Sequence, residues 1–124
     1  MNDKRPINLD LGSLSYPPMA IASILHRLSG LLMFVLLPAM LYYLDISLRS
    51  SESFDALLTQ MQSPWVKLVF WAFGSAWMYH VIAGIRHMLM DFGLGESLVA
   101  GKKSAVLVIV LAVITTLFLG IWIW

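Results

Sequence analysis

Residues 68–85 read LVFWAFGSAWMYHVIAGI. These 18 residues hold no Asp, Glu, Lys or Arg, and His80 is the one side chain that titrates near neutral pH. A helix that crosses a bilayer needs roughly 20 mostly apolar residues. The stretch therefore reads as a membrane span with a histidine inside it, and ionisable groups at membrane depth are costly and mark function. Arg86 and His87 close the stretch.

Two further runs flank it. Residues 28–44 are uncharged for 17 positions and extend back through Ile21 and Ala22. Residues 104–124 carry no charge across 21 positions. Composition agrees: 60% of the 124 residues are hydrophobic and 12% charged, with a mean hydropathy of +0.82. A soluble domain carries about twice that charge fraction. The sequence predicts an all-α integral membrane protein, a single anchor domain over 1–124. Its parts are an N-terminal segment over 1–20 and helices over about 21–45, 65–90 and 104–124. Pro38 is tolerable in a membrane helix, though it can kink one. Residues 45–63 and 91–103 read as loops, the second holding Gly93, Gly95 and Gly101. Pro64 suits a first helical turn.

Residues 1–18 are polar and contain prolines, with no apolar core of a cleavable signal peptide, so none is expected. With no cysteine, disulfides, thiolate metal sites and covalent haem attachment through C-x-x-C-H are excluded. Room for a soluble catalytic domain beside three spans is lacking, so a redox cycle needs partner chains.

Three spans put the N-terminus and the second loop on one side. That side collects Lys4, Arg5, Arg27, Arg86, Lys102 and Lys103, against Arg49 and Lys67 opposite. An excess of Lys and Arg marks the cytoplasmic side, so the N-terminus is expected there and Trp124 outside. Trp65, Trp71, Trp122 and Trp124 then resemble an outer aromatic belt.

This orientation gathers scattered residues. The first span starts on the cytoplasmic side with Ser23, His26 and Arg27; the second ends there with Arg86 and His87. His80 lies about 9 Å deeper, at 1.5 Å per residue. A neutral imidazole at that depth is a good haem-iron ligand, and Gly84 leaves room for a flat ring. A hydrogen bond to a neighbouring helix would explain His80 equally well. Ser23 and Arg27, at i and i+4, share a face. Together they offer a hydroxyl and a permanent cation for the carbonyl oxygens of a quinone that gains negative charge on reduction. An interfacial, snorkelling arginine is the simpler alternative. His26, Arg27 and Arg86 can each meet a haem propionate; for Arg86, interfacial anchoring is the stronger reading. His87 is shallow for a ligand, Asp91 fits an ion pair with Arg86 or His87, and Met78, Met88 and Met90 fit packing.

Three segments carry a family resemblance. They are Arg5-Pro6-Ile7-Asn8-Leu9-Asp10-Leu11, then Ala22-Ser23-Ile24-Leu25-His26-Arg27-Leu28-Ser29-Gly30, then Tyr79-His80-Val81-Ile82-Ala83-Gly84-Ile85-Arg86-His87-Met88 running on to Asp91. Over nearly its whole length the chain resembles the cytochrome b subunits of succinate dehydrogenase, the larger membrane anchors of respiratory complex II, in their enterobacterial form. One departure is that Ile7-Asn8-Leu9-Asp10 stands where many members carry Ser-Pro-His.

The resemblance implies a heteromeric helix bundle around a b-type haem. It implies that His80 is one axial iron ligand, the other coming from a smaller hydrophobic anchor subunit, and that His26 sits beside the propionates. It implies that Ser23, Ile24 and Arg27 form part of a ubiquinone-reduction site. The partners it implies are a flavoprotein that oxidises succinate, an iron–sulfur protein and the smaller anchor, in the inner membrane of a bacterium; residues 1–18 would be a docking strip for the soluble subunits. No complete active site is expected in this chain alone, and no nucleic-acid partner. The rivals are a fumarate reductase anchor, which runs the chemistry in reverse, and a small structural or proton-conducting membrane protein without haem.

Overall fold

The computed structural model describes residues 16–124, which form four helices: α1 Pro18–Arg49, α2 Ser51–Gln60, α3 Pro64–Asp91 and α4 Leu98–Ile123. Lys4, Arg5, the Arg5-to-Leu11 motif and residues 1–15 of the expected docking strip lie outside the described residues.

Three of the helices are long and apolar enough to cross a membrane, α1, α3 and α4. At 1.5 Å per residue, α1 is about 48 Å long, α3 about 42 Å and α4 about 39 Å. Each exceeds the roughly 30 Å hydrocarbon core. The expected all-α, three-span architecture is borne out.

The helices run further than the apolar runs because charge ends a span and not a helix. Lys102 and Lys103 lie inside α4, whose start is capped where the Ser97 hydroxyl accepts from Ala100 N–H at 3.2 Å. Gly101, expected in a loop, is therefore helical, and it is buried against Met19. The residues read as a first loop hold the end of α1 and all of α2. Ser50 and Ser53 cap α2 reciprocally: Ser53 N–H donates to Ser50 Oγ at 3.1 Å and Ser50 N–H to Ser53 Oγ at 3.0 Å. Leu57 turns inward and is buried, and α2 packs on α1. Pro38 lies inside α1, which continues through it.

The end of α3 shows how the chain turns. Leu94 N–H reaches back to Leu89 C=O at 3.0 Å and Gly93 N–H to Met90 C=O at 2.9 Å. Gly93 has φ +81°, the left-handed conformation such a helix stop requires and one that a Cβ disfavours.

The spans pack up, down and up, with α3 against both α1 and α4, and α1 against α4. Paired residues fix the direction: Tyr79 lies by Ala22 and Tyr43 by Phe70, whereas Arg86 lies by Gly101 and Trp71 by Thr116. The interior is made of small residues, with Ala22, Ala76, Ala83, Ala105 and Ala112 buried. Close backbone approach through small side chains is how helices associate where lipid tails are as apolar as leucine. Large apolar residues instead cover the outside, among them Phe34, Leu48, Phe118, Ile121 and Trp122.

Candidate functional site

The N-terminal third of α1 and the C-terminal half of α3 meet in a column of three imidazoles. The ring centres of His26 and His80 are 4.1 Å apart at 31°, and those of His26 and His87 are 5.1 Å apart at 32°. His80 and His87, seven residues apart, nearly share a face of α3. His26 comes between them from α1.

The way α1 holds His80 bears on its chemistry. His80 Nδ1 is 3.0 Å from Ser29 Oγ and 3.2 Å from the His26 carbonyl oxygen. The expected hydrogen bond from His80 to a neighbouring helix is thus present, and it uses Nδ1. Nε2 has no hydrogen-bond partner among the described residues. Metal-binding histidines commonly fix one ring nitrogen against a carbonyl and present the other to the metal. The two readings of His80 are therefore compatible.

Glycines shape the space around the rings. A Cβ added at Gly30 would lie 3.1 Å from His80 Cε1, tighter than ordinary contact. A Cβ at Gly84 would lie 3.7 Å from His26 Nε2, in ordinary contact. His26 Nε2 is itself buried and has no hydrogen-bond partner among the described residues. A buried polar atom without a partner is unusual and costs free energy. An orphaned imidazole nitrogen on His26 and an Nε2 on His80 without a hydrogen-bond partner among the described residues form a donor set that fits a haem with polar side groups. Among the described residues, no three or more His, Cys, Asp or Glu side chains are arranged so that they could together hold a metal ion.

Ser23, Ile24 and Arg27 lie on the open side of α1. Ser23 is half-buried and Arg27 exposed, and Ile24 leaves 46% of its surface open. Arg27 follows His26 by one position, about 100° around the helix. Ser23 and Arg27, one turn apart, therefore sit beside the column on either side of the level of His26, and neither makes a side-chain hydrogen bond among the described residues.

Arg86 goes elsewhere. In place of the expected interfacial or propionate-facing cation, Arg86 is 8% exposed and turned toward α4. Its Nε donates to Ser104 Oγ at 3.0 Å and its Nη2 to Gly101 C=O at 3.2 Å. Nor does Asp91 pair with Arg86 or His87; among the described residues the ion pair is Asp45 with Arg49, on α1. Arg86 is a strut between α3 and α4. Ser104 and Gly101, three residues apart on one face, offer their oxygens together, a relation that appears only once α4 starts at Leu98.

Three positions had no role assigned from sequence. Ser29 and Gly30 shape the His80 environment, and their signal was present in the motif His26-Arg27-Leu28-Ser29-Gly30. Tyr79 donates its hydroxyl to Ala22 C=O at 2.9 Å, which ties α3 to α1 one residue before His80.

Residues 1–119 match the sequence profile of the family described as "Succinate dehydrogenase/Fumarate reductase transmembrane subunit". The chain belongs to this family. The succinate dehydrogenase cytochrome b556 subunit of Coxiella burnetii is 46% identical over the full length of both chains. That of Rickettsia prowazekii is 30% identical over 96% of this chain and 93% of its own. That of Paracoccus denitrificans is 30% identical over 90% of this chain and 88% of its own. As a family member, the chain is a transmembrane anchor subunit of succinate dehydrogenase, as the sequence motifs indicated.

Proposed function

We propose that this anchor supplies His80 as one axial ligand of a b-type haem. We further propose that Ser23, Ile24 and Arg27 form part of the ubiquinone-reduction site of a succinate:ubiquinone oxidoreductase. The observation that supports this reading is the state of His80: Nδ1 is tied to α1 while Nε2 has no hydrogen-bond partner among the described residues. The relatives' names, cytochrome b556 subunits, supply the haem class. His80 Nε2 would hold the iron and His26 would face a propionate. The haem, when bound, supplies reversible one-electron storage. Three helices lined mostly by alanine cannot enclose so large a group, so a smaller anchor subunit completes the pocket and brings the second ligand.

The succinate chemistry lies outside this subunit, on a flavoprotein and an iron–sulfur protein. Two electrons and two protons convert ubiquinone to quinol. The Ser23 hydroxyl donates to one carbonyl oxygen, and the Arg27 cation stabilises the negative charge that grows there as electrons arrive. Ile24 offers an apolar wall. The open face of α1 suits a pocket that partner chains complete. The basic residues Arg27, Arg86, Lys102 and Lys103 share the end of the bundle that carries this face, which supports a cytoplasmic N-terminus and a periplasmic Trp124 in a bacterial inner membrane.

The reading is tested on the assembled complex by a reduced-minus-oxidised visible spectrum. A b-type band is expected. A complex with full succinate-oxidising activity and no such band contradicts it.

A further inference from the structure

Around His80, donors and acceptors fit together in only one way. Ser29 Oγ is 2.7 Å from the His26 carbonyl oxygen, to which it donates. A hydroxyl has a single proton. With that proton committed, Ser29 meets His80 Nδ1 as an acceptor, at 3.0 Å. The His26 carbonyl, 3.2 Å from the same nitrogen, can only accept. Two acceptors facing one ring nitrogen require that it carry hydrogen. The reverse tautomer would set the Nδ1 lone pair against the carbonyl lone pairs and force Ser29 to give up its bond to His26.

Ser29 is 7% exposed, and water does not readily replace it. Gly30 adds a steric constraint, because the His80 Cε1 edge packs 3.1 Å from where a Cβ of residue 30 would sit. One helical step of α1 thus supplies the acceptor and the clearance.

We infer that Ser29, together with the His26 carbonyl, is a positioning residue that fixes His80 as the Nδ1–H tautomer and presents Nε2 as the ligand atom. The part concerning a ligand rests on the haem reading above; the tautomer does not. A hydrogen bond from the far nitrogen makes an imidazole a stronger donor, and loss of such a partner typically costs 10- to 100-fold in metal affinity. Ser29 therefore tunes the haem without touching it.

Two measurements test this. The first uses the native complex, labelled with 15N-histidine and prepared from cells blocked in haem synthesis, at mildly alkaline pH. The His80 signals are assigned by their loss in His80→Ala. A protonated Nδ1 with a bare Nε2 is expected; a protonated Nε2 overturns the inference, whether or not haem ever binds. The second compares Ser29→Ala and Ser29→Thr in the haem-loaded complex. Ser29→Ala is expected to lower haem retention about tenfold and to shift the haem midpoint potential upward, as a weaker donor favours ferric iron less. Ser29→Thr keeps the hydroxyl and restores both. If Ser29→Ala leaves the potential and the retention as in the native complex while His80→Ala removes the haem, Ser29 has no positioning role. If Ser29→Ala does not assemble, the labelled native complex still decides. A native complex without b-type haem would refute the proposed function and leave the tautomer measurement standing.

Discussion

His26 and His80 stack across the α1–α3 interface, ring centre to ring centre at 4.1 Å. Neither residue creates this arrangement alone. It needs α1 and α3 antiparallel, small residues that let them approach, and Gly84 opposite the His26 ring. Tyr79 and Ser29 supply hydrogen bonds on either side of the contact. The bundle thus builds a layer of polar side chains near one end of an otherwise apolar protein.

The pair at Ser23 and Arg27 is expected to act on quinone and not on succinate. Arg27→Ala should lower succinate:quinone reductase activity by at least tenfold, because a cation facing developing negative charge is worth about 10²-fold or more. Ser23→Ala should act in the same direction. Succinate oxidation measured with a soluble dye acceptor should remain at the native rate. Equal loss of both activities would mean misassembly and remove the case for a quinone site.

Arg86 is expected to matter for stability and little for electron transfer. Arg86→Ala removes two charge-assisted hydrogen bonds and leaves Ser104 Oγ and Gly101 C=O to each other. Interhelical bonds in membranes are worth about 0.6–2 kcal/mol each, so a loss of about 1–4 kcal/mol is expected for the two. Thermal unfolding of the complex in detergent reads this out. Arg86→Lys retains one donor direction only and should recover part of the loss. A melting temperature unchanged in Arg86→Ala would show that the strut carries no weight.

Gly30 is expected to tolerate little. In Gly30→Ala the new methyl group presses on His80 Cε1 at 3.1 Å, and the ring must give way by a few tenths of an ångström. The haem absorption and low-temperature spectra should shift while haem content stays near native. Gly84→Ala is the internal comparison, since its methyl group falls 3.7 Å from His26 Nε2, in ordinary contact. Spectra that respond more to Gly84→Ala than to Gly30→Ala would show that Gly30 does not set the position of the His80 ring.

Much of this fold was legible in the sequence, for a physical reason. Lipid demands long uninterrupted apolar runs, so three spans announced themselves. α2 was not legible. Its ten residues are too few to register as a span, and the reciprocal Ser50–Ser53 cap differs from the usual pattern with Glu or Gln at the third position. The early start of α4 was missed because Lys102 and Lys103 end the apolar run without breaking the helix. At the site, antiparallel spans with histidines near one membrane face led directly to the His26–His80 proximity. The rotation of α3 about its axis could not be read the same way. That rotation sends Arg86 to α4 and His87 toward His26. Ser29 stood in the motif, but its role depends on one proton being already committed to the His26 carbonyl.

The central claim is that His80 binds haem iron through Nε2, and the haem-to-flavin ratio of the native and His80→Ala complexes tests it most directly. Both preparations are matched for succinate oxidation by dye. The native complex should hold one b-type haem per flavin, and His80→Ala should hold less haem or haem with altered axial ligation in its low-temperature spectrum. An identical ratio and an identical spectrum in the two complexes would contradict the assignment.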